Sequence, residues 1–137
     1  MEIEDFKKLK KEIDKDILFE EEYAQQKLVE LPKLQQHYLD IATLMAMNLK
    51  KKQLEVDRTF ARKFKYFKFD DNLSWDGNKG QIEIQVRGDK EYQDKLRSFY
   101  QLEVMLKHVE STISNLKQLH FTIKTYLEFR KFQTGTY

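Results

Sequence analysis

Residues 60–69 read FARKFKYFKF, with four phenylalanines, a tyrosine and four cations in ten positions. As a strand, the stretch puts Phe60, Arg62, Phe64, Tyr66 and Lys68 on one face. Ala61, Lys63, Lys65, Phe67 and Phe69 fall on the other. Both faces are mixed, so a period of two sorts nothing.

A helix sorts them. At about 100° per residue, with Arg58 as origin, Lys51 lies at about 20°, Arg62 at about 40° and Lys65 at about −20°. Leu49, Val56, Phe60, Phe64 and Phe67 gather between about 160° and 240°. Cations and phenyl rings therefore occupy opposite sides of one helix. The cationic ridge from Lys51 to Lys65 is about 21 Å long, enough to follow several phosphates of a polyanion. Tyr66 and Phe69 at its end offer stacking faces for unpaired bases. The alternative is a solvated basic face that only keeps the helix in solution.

The rest of the chain supports a mainly α fold. Its 137 residues suffice for one domain with a modest core. Four glycines and one proline favour long helices, and the lack of cysteine rules out disulfide and thiolate chemistry. Net charge is only +2, but residues 50–68 hold eight bases against two acids, whereas residues 1–30 hold ten acids against six bases. A local basic block is what polyanion binding requires. Lys68 belongs to it. No apolar run reaches the roughly 18 residues of a membrane span, and the acidic start is unlike a signal peptide, so a cytosolic chain is expected.

Ile3, Phe6, Leu9, Ile13 and Ile17 mark a first short helix that breaks near 15–19. Glu12 is expected to pair along it with Lys8 or Lys15. The stripe Leu28, Leu31, Leu34, Tyr38, Ile41 and Met45 leads into the ridge helix, read as one element over about 33–68. Pro32 either opens that helix or kinks it. Residues 70–80 (DDNLSWDGNKG) have loop composition, with a turn at Asp76-Gly77; Trp75 either packs on the core or stacks on a base. Residues 81–87 (QIEIQVR) alternate strictly and predict a short β segment, which must pair with another segment or chain or be merely extended. From Asp89 the helical period returns through Tyr92, Leu96, Phe99, Leu102, Leu106, Val109, Ile113, Leu116 and Ile123. Residues 115–120 are a candidate break, and Gly135 a helix stop. The expected organisation is a single helical domain packed as a hairpin or bundle: N-terminal helices to about 70, a connector over 71–90, and C-terminal helices over 91–137.

The C-terminal residues Phe121, Ile123, Tyr126, Leu127, Phe129 and Phe132 form the candidate self-association surface, being more aromatic than a small monomer leaves exposed. Completion of the core is the competing reading. Enzymatic motifs are missing. His37, His108 and His120 are far apart, with the first two expected at helix surfaces or boundaries. There is no HExxH, no GxSxG and no paired-carboxylate context, and Gly77-Asn78-Lys79-Gly80 is not a phosphate-binding loop. No metal or cofactor is expected, and a helical adaptor that binds protein is the main alternative to nucleic-acid binding.

The closing stretch, with Phe121, Ile123 and Lys124 followed by Arg130, Phe132 and Gly135, resembles the C-terminal signature of the UvsY family of phage recombination mediators. Length, helix order and a basic segment before a polar loop correspond as well. Leu119 stands where the family usually has Arg, and no glycine follows the aromatic pair at the end of the basic helix until Gly77. The resemblance implies a non-enzymatic protein that binds single-stranded DNA as a ring-like homo-oligomer. It also implies a role in phage recombination, repair and replication. Such a protein helps load a RecA-like phage recombinase onto strands covered by the phage single-strand-binding protein, in the cytoplasm of the infected bacterium. The family's DNA-contacting basic segment falls on Arg58, Arg62, Lys63 and Lys65.

Overall fold

A computed structural model describes residues 1–69 and 78–135. Four helices follow one another: α1 (Ile3–Asp16), α2 (Ala24–Lys68), α3 (Lys79–Gly88) and α4 (Lys90–Thr134). No strand occurs among the described residues. The chain forms two compact units, Met1–Met45 with Met105–Tyr137, and Ala46–Val104. Helices α2 and α4 contribute to both. No helix is long and apolar enough to cross a membrane among the described residues.

In the first unit, Leu9 and Ile13 of α1, Leu31, Tyr38 and Met45 of α2, and Leu106, Val109, Leu116 and Ile123 of α4 are buried. Ile3, by contrast, lies exposed at the first turn of α1. Glu12 does not pair within α1 as expected. It meets Nε2 of His37 at 2.9 Å, while Tyr38 donates to Asp16 at 2.7 Å. These two contacts tie the last turns of α1 to α2. The turn Glu21–Tyr23 leads into α2, with Glu21 and Glu22 favourably placed ahead of its N-terminus.

Two helix boundaries differ from the sequence reading. Helix α2 starts nine residues before position 33, and Pro32 lies inside it. Proline deprives the Leu28 carbonyl of its helical donor, but Ala24 and Leu31 on either side are buried, and packing holds the helix through the lost bond. Helix α4 has no break at 115–120, because Leu116 and Ile123 both reach the core from one uninterrupted face. It ends before Gly135, whose φ of 68° is the left-handed geometry expected of a stop.

The largest correction concerns residues 81–87, which are helical as part of α3. Ile82 and Val86, four apart, are buried, whereas Ile84 between them is 66 % exposed. The period-two pattern thus concealed an i, i+4 pair. Asn78 starts the helix: its side-chain oxygen accepts from the backbone N–H of Gly80 at 2.9 Å and more weakly from that of Gln81. A lone strand leaves its backbone unpaired, and a helix satisfies it internally. Residues 78–80, read as loop, are therefore the cap and first turn of α3. The expected Asp76-Gly77 turn and Trp75 lie outside the described residues.

Candidate nucleic-acid interface

Residues 50–68 are helical throughout, and the two faces separate. Val56 and Thr59 are buried; Leu49, Phe60, Phe64 and Phe67 are partly covered. Phe60 meets Tyr92 of α4 edge to face, with ring centroids 5.8 Å apart, and lies along Phe64 at 6.3 Å. Within this unit α2 and α4 run antiparallel: Lys52 donates to Ser98, Glu55 pairs with Lys95 at 3.5 Å, and Arg62 pairs with Glu91.

On the opposite face Lys51, Arg58 and Lys65 are exposed, and Lys68 is exposed to one side of them. Beyond them Tyr66 is 60 % and Phe69 72 % exposed. The Lys68 ammonium sits 5.5 Å from the centre of the Phe69 ring, and Tyr66 contacts Phe67 edge to face. The ridge line and Tyr66 thus lie on one helix, with Phe69 one residue past its end.

Arg62 and Lys63 differ from their neighbours. Arg62 donates to Oε1 of Glu91. The Lys63 ammonium lies 3.2 Å from the other Glu91 oxygen and 3.3 Å from Oδ1 of Asp89. The Lys63 side chain is 20 % exposed against 58 % for Arg62. Hydrogen bonds to Glu91 and then Asp89 raise the Lys63 pKa above its ordinary value. Those from Arg62 and then Lys63 lower that of Glu91. Asp89 has a second task. Its Oδ2 accepts from the Tyr92 backbone N–H at 3.1 Å and so caps α4.

The residues singled out for self-association lie in the other unit. Phe121, Phe129 and Phe132 are exposed, Ile123 is fully buried within the chain's own core, and Tyr126 and Leu127 are half-covered. Tyr126 reaches Glu21 at 3.4 Å and receives a hydrogen bond from Arg130. Both His37 and His120 are at least partly exposed. His108 packs edge to face on Phe6, and its buried Nε2 finds no hydrogen-bond partner among the described residues. No cluster of three or more metal-ligating side chains occurs among the described residues.

Among the described residues this is an all-helical protein built on two 45-residue helices, the first of which carries an exposed cationic ridge ending in aromatic side chains. Among the solved structures that share the fold over nearly the whole length are three of the bacteriophage T4 recombination mediator protein UvsY. Lattice type II matches with a TM-score of 0.84 at 18 % identity, covering 98 % of both chains. Lattice type IV matches with 0.84 at 16 % identity, covering 97 % of this chain and 99 % of that one. Lattice type I gives 0.82 at 17 % identity over 92 % and 98 %. No curated protein sequence matches. The sequence model of UvsY, described as "Recombination, repair and ssDNA binding protein UvsY", matches residues 12–136. The chain belongs to the UvsY family.

Proposed function

We propose that this protein is a single-stranded-DNA-binding recombination mediator that acts without catalysing a reaction. It helps a RecA-like phage recombinase load onto strands covered by the phage single-strand-binding protein. The observation that carries the reading is the exposed line Lys51, Arg58 and Lys65, ending at Tyr66, Lys68 and Phe69, in a chain of this family. Cations meet phosphates, and Tyr66 and Phe69 stack on unpaired bases. Arg62 lies on the same face, about 40° from Arg58, and Lys63 follows it on the side that meets Asp89 and Glu91.

One subunit offers few contacts and holds a strand weakly. A homo-oligomeric ring raises the effective concentration of each further site once the first is bound. Wrapping then bends the strand, loosens the covering protein and presents bases to the recombinase. Phe121, Phe129 and Phe132, with the edges of Tyr126 and Leu127, supply the subunit contacts, while Ile123 supports them from within.

Fluorescence anisotropy with a labelled oligonucleotide at low and high salt tests this. Log affinity should fall with log salt by about 0.7 per phosphate contact. Absence of binding at low salt points instead to an adaptor that recognises protein.

A further inference from the structure

Two of the basic side chains beside the ridge are already occupied. Arg62 is bonded to Glu91, and Lys63 is held between Glu91 and Asp89 at 3.2 and 3.3 Å. A carboxylate offers these cations two oxygens that share one negative charge, as the non-bridging oxygens of a phosphodiester do. The acids come from the junction of α3 and α4, about 28 residues further along the chain, so the pairing is tertiary and not a neighbour effect along one helix. The two carboxylates are well placed to persist. Asp89 is fixed as the cap of α4, and Glu91 lies in its first turn, where the helix dipole favours negative charge.

We propose that Asp89 and Glu91 act as an internal competitor for phosphate, holding Arg62 and Lys63 back from a bound strand and keeping affinity below what the full basic face could reach. The proposal rests on the reading of the ridge as a strand-binding face. The half-exposed Arg62–Glu91 pair exchanges partners at little cost, because water screens it. Arg62 therefore moves to phosphate first, and Lys63, more covered and held by two acids, follows less readily. Lys51, Arg58 and Lys65 make the first contacts and the paired residues join under tighter wrapping. A mediator must also let its strand go, and a built-in rival anion gives phosphate contacts that reverse easily.

The test is single-strand affinity of the full-length protein against a labelled oligonucleotide across a salt series. Glu91→Gln removes the shared carboxylate but keeps its shape. Asp89→Asn keeps a capping oxygen and frees Lys63 in part, and it serves if the first variant folds poorly by circular dichroism. Glu110→Gln, exposed in the other unit, controls for the change in total charge. Binding by Glu91→Gln should tighten about fivefold at low salt, the scale of one exposed ion pair. Its log–log salt slope should steepen by about 0.7 for each cation released. Equal tightening in Glu110→Gln, or unchanged or weaker binding in the folded acid-site variants, overturns the competitor. Arg58→Ala/Lys65→Ala separates the two claims. If it weakens binding while Glu91→Gln changes nothing, only the competitor falls; if it leaves binding intact, the ridge itself falls.

Discussion

Tyr38 donates its phenolic hydrogen to Asp16 across 2.7 Å, from a ring with no exposed surface. Burial, and then the hydrogen bond to Asp16, push the phenol far above its ordinary pKa, so it remains a donor throughout the working pH range. The bond fastens the last turn of α1 to α2. Tyr38→Phe should keep the packing and lose the bond, at about 1–2 kcal/mol of stability. Tyr38→Ala should cost about 3–5 kcal/mol by opening a cavity. Urea unfolding followed by circular dichroism measures both, and equal losses contradict a separate role for the hydroxyl.

Helix α3 yields a sharper contrast. Ile82→Ala removes a buried side chain and should cost about 2–4 kcal/mol. Ile84→Ala, two residues on and exposed, should stay within about 0.5 kcal/mol. Comparable losses at the two sites mean that this segment is not the helix described, since a strand facing the core would bury both.

That segment also shows where sequence patterning stops. Period-two alternation was present, but it reflected one exposed isoleucine between two buried apolar residues. The informative signal was Asn78 as a cap, four residues before Ile82. Periodicity did expose the long helices and the ridge, because both are properties of one helix face. It could not reveal the Arg62–Glu91 contact, whose members are 29 residues apart. Pro32 and residues 115–120 misled for a related reason: local helix-breaking signals were outweighed by the burial of Leu31, Leu116 and Ile123. The aromatic tail was partly legible. Its composition marked a surface, but only the fold separates buried Ile123 from exposed Phe121 and Phe129.

The Arg62–Lys63–Glu91 group carries a pH signature. Hydrogen bonds from Arg62 and Lys63 lower the Glu91 pKa below its ordinary 4.5. Between those two values the unfolded chain binds more protons, so stability rises with pH across that window. The contribution is complete above the ordinary value and disappears as pH falls through the folded one. As pH falls below 4.5, wild type should therefore lose more thermal stability than Glu91→Gln. Parallel loss in the two proteins contradicts the pairing.

Self-association should depend on the exposed tail rings. Phe121→Ser/Phe129→Ser changes two exposed side chains and should leave the helical content intact. The mass in solution should fall to that of a monomer or small oligomer. Truncation after Leu119 is a poorer probe, because it also removes Ile123 from the core. Sedimentation of the double variant at the wild-type mass removes these rings from the interface.

The salt dependence of single-strand binding by Lys51→Ala/Arg58→Ala/Lys65→Ala addresses the central claim most directly. These three cations are exposed and have no ion-pair partner among the described residues. With the assembly intact, affinity should fall at low salt. The log–log slope should become shallower by about 2 for each subunit engaged, or about 0.7 per lost contact. An unchanged affinity and an unchanged slope would contradict the ridge as the strand-binding face.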